Sequence, residues 1–414
     1  MKKLAIIGSG IAGMGCGHLL QSKYDITIFE KNNYPGGHTN TIEVDENGGT
    51  IYIDTGFMVF NFVTYPHLCQ LFETIKAPIK KTDMSFSVQH VPSGLEYCGS
   101  GLIGLFAQRK NIFNWSYIKM LGEISRFNKI SIEILDKPEF QELSLQQYIK
   151  QFNFSEDMLW KYLIPMSSAV WSTPMEKMLE FPVVTLIRFF KNHGFLGLNT
   201  QHQWYTLHNG SQAYRKLLIE PFKNRIRINT AAQKVSIKEN KVEVVLSNGT
   251  IEQYDKVIFA CHANEALNML EKPNDIQQRL LTPFKYERNV ALVHTDESVM
   301  PKTKKTWSSW NYRIENINGK PTPTTIYWMN NLQQVSKNKN YFVSINPIAG
   351  SVAENKKIKE IIYEHPLFDL TAIKAQAELQ TLNEIGPIYF CGSYFKYGFH
   401  EDAYASAVEL CKKM

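Results

Sequence analysis

The chain has 414 residues, 44% of them hydrophobic and 20% charged, with a formal net charge of +6. That length supports more than one core, the composition excludes a disordered chain, and so small and scattered a charge leaves no footprint for nucleic acid. Cys16, Cys69, Cys98, Cys261, Cys391 and Cys411 stand far apart with no C-x-x-C pair, which suits reduced thiols in a cytoplasmic protein rather than a disulfide framework or zinc site. The run Met1 to Ile7 is broken by Gly8 and Gly10 too early for a secretion signal. No stretch of about 18 apolar residues is present to span a bilayer.

Lys3 to Ile7 is a short apolar run, as expected of a central strand covered on both faces. It enters Gly8-Ser9-Gly10-Ile11-Ala12-Gly13. In this pattern Gly8 makes the tight turn, Gly10 lets backbone approach a pyrophosphate, and Gly13 lets the next helix pack closely on the strand. That helix is predicted to run through Leu20, its free N–H groups and positive dipole end aimed at the phosphates. Tyr24 to Phe29 reads as the second strand, closed by Glu30. A carboxylate there accepts hydrogen bonds from ribose hydroxyls and repels the 2′-phosphate of NADP. Strand, glycine turn, helix, strand and acid in register make a βαβ dinucleotide fold, which a chance glycine loop does not.

Lys31 to Thr39, centred on Gly36-Gly37-His38, resembles the double-glycine segment of the flavin amine oxidase superfamily, which includes amine oxidases, carotenoid desaturases and protoporphyrinogen oxidase. Its members usually carry Arg after the glycines; His38 stands in that place and makes a weaker phosphate contact. Ile53 to Met58 is similar to the turn whose backbone runs past the flavin ring, through Gly56, Phe57 and Met58. Trp204 to Ser211 resembles a Gly-rich turn into a helix, and strands follow over 225–229, 232–235 and 241–246, with a hairpin turn at 247–249. The position of Val235 implies a backbone contact to adenine. Asp255 to Ala260 and Ile388 to Ser393 read as buried strands, the latter ending on Gly392 at the cofactor. In Tyr397 to Ala403, Phe399 would stand beside the flavin and the backbone of His400 would reach its pyrimidine edge. Consecutive His400, Glu401 and Asp402 point in different directions, so no metal site is expected there.

The resemblance implies an α/β protein in which a Rossmann-like FAD-binding domain (1–78, 203–268 and 378–414) is interleaved with an α+β substrate domain (79–202 and 269–377). It implies non-covalent FAD held by Gly8, Ser9, Gly10, Ile11, Ala12, Gly13, Glu30, Lys31, Gly37, His38 and Thr39, besides the later residues just named. Flavin supplies the hydride chemistry, leaving the protein to provide orientation, a dry pocket and electrostatics; no nucleophile or metal motif is found. Many members place a Lys near flavin N5. Asn289 stands there instead, with Phe399 the other flavin-facing candidate, and an amine substrate loses support. No Cys occupies the usual linkage position, so the flavin should be dissociable.

Nearly end to end, the chain resembles a bacterial subfamily of NAD/FAD-binding proteins, through Pro35 to Thr41, Asp54 to Asn61, Trp307 to Tyr312 and Tyr397 to Asp402. Its relatives resemble the N-terminal half of plant cyclopropane fatty acid synthases. The implied reaction is hydride transfer between flavin N5 and a hydrophobic substrate, an unsaturated or branched fatty acyl chain, with the apolar stretch Phe181 to Leu198 as its tunnel. Amine oxidation is one alternative; a non-catalytic FAD-binding partner of a lipid methyltransferase is another. Leu102 to Phe106, Arg109, Lys110, Trp115, Tyr117 and Ile118 form a basic amphipathic stretch. It is read as a helix packed on the core in preference to a segment lying on a bilayer, and Lys302, Lys304 and Lys305 as a solvated loop.

Overall fold

The apolar run near the start forms the strand Lys2–Ile7, buried from Leu4 onward, in a computed structural model that describes residues 1–197 and 200–414. It lies at the centre of a five-stranded sheet in the order Ile226–Arg227, Tyr24–Phe29, Lys2–Ile7, Lys256–Phe259, Ile388–Phe390. Every neighbouring pair is parallel, so both faces need cover. Helix Ile11–Leu20 and the last helix, His400–Lys412, cover one face, where Leu4, Ile6, Met14, Leu20, Ala407 and Leu410 share a buried cluster. The antiparallel strands Ala232–Lys238, Lys241–Leu246 and Ile251–Tyr254 cover the other; their Val242, Val244 and Tyr254 pack with Ala5, Phe29 and Phe259. Of the strand expected over 225–229, only Ile226 and Arg227 pair with the sheet, because Asn229 takes a left-handed conformation (φ 52°) and turns the chain away.

A second sheet has seven strands in the order Lys357–Leu367, Lys285–His294, Phe342–Ile345, Lys320–Trp328, Trp310–Ile317, Phe86–His90, Leu95–Cys98. It is antiparallel except where Trp310–Ile317 meets Phe86–His90. Helices Trp115–Ser131, Leu145–Gln151, Ile164–Trp171 and Val183–Asn192 pack beside it. The chain is therefore α/β, and it leaves the parallel sheet twice and returns twice.

Two expectations change. The stretch from Phe181 is mostly core: Val183, Leu186, Ile187 and Phe190 are buried, and of its described residues Phe189 and Phe195 line the large cavity. Leu198, its expected end, lies outside the described residues. The segment from Leu102 to Ile118 is not one core-packed helix. It divides into Gly101–Leu105, Arg109–Phe113 and the start of Trp115–Ser131, because Gln108 and Asn114 are extended (ψ 94° and 97°) and break the helical run. Leu102, Ile103, Phe113 and Trp115 are left in solvent. Among the described residues, no helix is long and apolar enough to cross a membrane.

The glycine turn separates a folding role from a binding role. A Cβ on Gly13 would sit 1.9 Å from the Gly8 carbonyl oxygen, whereas one on Gly10 would meet nothing within 4 Å. Gly13→Ala is expected to cost about 3 kcal/mol in urea unfolding of the apoprotein, and Gly10→Ala less than about 1 kcal/mol. Equal losses at the two positions would refute this division.

Candidate functional site

A cavity of about 1300 Å³ runs from the end of the parallel sheet to the seven-stranded sheet. Ligand crevices of α/β sheets lie at the carboxyl ends of the strands, and this volume exceeds the roughly 300–1,000 Å³ typical of small-ligand pockets. At one end the wall is Gly8 to Ala12, Phe29 to Tyr34 and Thr230 to Ala232. Gly8 donates its N–H to the carbonyl of Phe29 (2.9 Å), which binds the turn to the second strand. The Glu30 carboxylate accepts from Ser9 N (3.1 Å), Ser9 Oγ (2.6 Å) and Asn32 N (2.9 Å). It is thus fixed beside the glycine turn, on the wall of the cavity. Lys31 reaches Glu265 at 2.5 Å.

Midway, Gly37, His38, Gly56, Phe57 and Met58 form the wall. Phe57 N donates to the His38 carbonyl (2.8 Å), and Gly56 is needed because a Cβ would come within 2.3 Å of that oxygen. The His38 ring stacks on Tyr363 (4.7 Å between centroids) and lies 5.2 Å from His365. Burial first, then the nearby histidines, hold His38 well below the usual imidazole range, so it is neutral at pH 7. Its Nε2 is buried without a hydrogen-bond partner.

Toward the other end stand Gly392, Phe399 and His400. The His400 ring stacks on Phe57 at 3.9 Å, and its Nε2 lies 2.5 Å from the Tyr214 hydroxyl, which is 2.6 Å from Thr39 Oγ1. Burial pushes His400 down to about 3. Phe399 stacks on Phe189 at 5.0 Å (interplanar 22°) with Trp171 at 6.0 Å, and Trp171 Nε1 donates to the Tyr397 carbonyl (3.1 Å). Glu401 turns away to accept from His67 N and Leu68 N, while Asp402 accepts from Phe399 N (2.9 Å). The His400-Glu401-Asp402 triplet therefore splits among separate partners.

Gly13, Thr39, Val235 and Asn289 do not line the cavity. Gly13 faces Gly8, and the Thr39 hydroxyl bonds to Tyr214 and His400. The carbonyl of buried Val235 accepts from Glu271 N (2.9 Å), and Thr230 to Ala232 reach the cavity instead. Asn289 is buried against His365 (2.9 Å) and Asn346 (2.7 Å); its neighbour Arg288 lies on the cavity. Sequence reasoning missed Tyr363, His365 and Tyr214, which pairing of distant segments brings to the site. It also missed His262, Glu265 and Glu364, whose ligand atoms lie within 4.8 Å of one another. Lys31 already places a cation on that group.

These features define a dinucleotide-binding protein of two sheets: a bare Gly10, a fixed acid at the end of the second strand, and an unpaired imidazole nitrogen on the wall. The sequence profile of the flavin containing amine oxidoreductase family matches residues 11–309, and the chain belongs to that family. It is 26% identical over 298 residues to a 1-hydroxycarotenoid 3,4-desaturase of Flavobacterium sp., covering 63% of this chain and 56% of that enzyme, so the match spans little more than half of the relative's length. The fold is similar to a redesigned putrescine oxidase (TM-score 0.69, 13% identity, 100% of this chain and 98% of the other). It is also similar to a CLA-producing fatty acid isomerase from P. acnes (TM-score 0.68, 12% identity, 100% and 98%). The residues lining the cavity fit the FAD that this family carries.

Asp402 supplies a test of the site's dryness. Burial raises its carboxyl from 3.8 to about 7. Unfolded chain loses this proton above about pH 4 while the folded protein keeps it. The contribution to stability is thus full below about pH 4 and lost as pH rises through about 7. Asp402→Asn is expected to gain on the parent by at most about 4 kcal/mol between pH 4 and 7.5, measured by denaturant unfolding. A difference constant across that range would count against it.

Proposed function

We propose that the enzyme transfers hydride between FAD and a long apolar substrate, an unsaturated or branched fatty acyl chain. The observation that carries this reading is the closed stack of Phe189 on Phe399 at 5.0 Å. An aromatic cage for an amine needs a slot between two rings, and this spacing is ring-on-ring contact. Trp171, Phe195, Trp204 and Met84 extend the apolar wall, which suits a chain without charge along its length. The carboxylates on the cavity offer an ammonium little: Glu30 is bound by Ser9, Glu265 by Lys31, Glu364 lies beside His262, and Glu360 is in solvent. Kinship to a desaturase, and a fold shared with a fatty acid isomerase, support the same substrate class.

In this reading the N–H groups at the start of helix Ile11–Leu20 hold the pyrophosphate, Glu30 the ribose, and Thr230 to Ala232 flank the adenine. The N-terminus of His400–Lys412 faces the pyrimidine edge of the flavin. Bound FAD supplies hydride acceptance and donation; the aromatic wall orients the chain and excludes water. Gly10→Val is expected to weaken FAD binding at least tenfold, read by retained flavin absorbance, with little change in apoprotein unfolding.

The deciding experiment mixes holoprotein anaerobically with unsaturated acyl lipids and, separately, with putrescine and cyclohexylamine, following flavin absorbance and analysing the lipids by mass spectrometry and chromatography. Flavin bleaching or double-bond rearrangement with acyl lipid alone is the expected result, reduced at least tenfold in Phe189→Ala at equal flavin content. Bleaching by an amine with peroxide release in air would overturn the substrate class. Retained flavin that no compound changes would instead favour a non-catalytic partner of a lipid-modifying methyltransferase.

A further inference from the structure

Four large apolar side chains between positions 102 and 115 stand almost clear of the protein: Phe113 is 91% exposed, Trp115 80%, Ile103 80% and Leu102 74%. Single exposed hydrophobics are ordinary, but such a group within one segment marks an interaction surface. The segment is not loose. The Tyr117 hydroxyl donates to the Leu105 carbonyl (2.8 Å), Asn111 N donates to the Gln108 carbonyl (2.9 Å), and Phe106 packs edge-on against Tyr117. The backbone is held so that these side chains project into solvent.

Charge distinguishes the occupant. From residue 97 to 122 the sequence has no acid, while Arg109, Lys110 and Lys119 are exposed and none is among the ion pairs formed by the described residues. A second cationic run lies alongside. The Glu96 carboxylate accepts from Lys302 N (2.9 Å) and Thr303 N (2.8 Å), while Glu96 N donates to Gln108 Oε1 (3.0 Å). Glu96 thus fastens the Lys302, Lys304, Lys305 turn and the Gln108 to Phe113 turn to the same strand. Projecting Trp and Phe side chains bordered by unpaired Lys and Arg are complementary to a bilayer with anionic headgroups, the aromatic rings at the interface and the cations at the phosphates.

We infer that the enzyme docks on anionic membrane surfaces through this face, with Phe113, Trp115, Leu102 and Ile103 entering the interface and the two cationic turns contacting phosphate. The inference does not depend on the substrate proposed above, because docking is read without turnover.

The test is sedimentation of holoprotein with vesicles of phosphatidylcholine alone or mixed with phosphatidylglycerol, at low and at near-physiological ionic strength. Binding to the anionic vesicles is expected, weakening with salt. The Phe113→Glu, Trp115→Glu double variant should lose at least tenfold in bound fraction. The Lys302→Glu, Lys304→Glu, Lys305→Glu variant should lose binding to anionic vesicles most at low salt. Both should keep the parent's flavin absorbance, since the altered side chains touch solvent. Wild-type protein left in solution with anionic vesicles would overturn the inference, as would variants that sediment like the parent. Self-association of the parent that disappears in the double variant would assign the face to a second copy of the chain instead.

Discussion

The carbonyl oxygen of Gly8 and the helix that begins at Ile11 approach so closely that only hydrogen fits at Gly13. That contact sets the angle at which the helix leaves the strand, and much of the site inherits its position from it. With the helix so placed, Ser9 meets Glu30 and Gly10 lies bare toward the cavity. Gly37 also comes within reach of Gly10, a Cβ on it standing 3.3 Å from the Gly10 Cα. The same helix carries Gly15, where the Tyr404 ring fills the space a side chain would take. The last helix, with His400 at its head, is positioned from the first.

The nucleotide half was legible because its signals are local. Residues Lys3 to Glu30 carry a strand, turn, helix and acid in register, and each forms where the spacing placed it. The resemblance extended this to Gly56, Phe57, Met58, Gly392, Phe399 and His400, all of which reach the cavity. What stayed hidden depends on pairing between remote segments. Asn289 meets His365 across 76 residues of sequence, and nothing near either residue announces it. Val235 was read as a strand residue whose backbone meets adenine, but register gives its carbonyl to Glu271. Over 101–118 the apolar pattern was real and its burial was not: composition cannot say that Gln108 and Asn114 interrupt the helix.

The electrostatics of the cavity lean toward neutrality. His38, His365 and His400 all lie well below the usual imidazole range, chiefly through burial. Where the resemblance implies an always-charged Arg, this chain offers His38, and in the proposed mode of FAD binding compensation of phosphate charge would fall to backbone N–H groups and the helix dipole. Arg215 stands close by, but its guanidinium donates to the Pro35 carbonyl (2.8 Å) and braces the loop that carries the two glycines.

The order of strands in the parallel sheet has a consequence for how the enzyme is made. Lys2–Ile7 pairs with Tyr24–Phe29 almost at once, but its other neighbour, Lys256–Phe259, and the outer strand Ile388–Phe390 belong to much later parts of the chain. At synthesis rates of roughly 5–20 residues per second, about 20–80 seconds separate the glycine turn from the strand that completes the sheet. The helix bearing His400 follows that strand. The first two strands therefore wait for a long intervening stretch before Ile226–Arg227 and Lys256–Phe259 flank them, and the part of the cavity wall that Gly392, Phe399 and His400 supply is made only after the edge strand Ile388–Phe390.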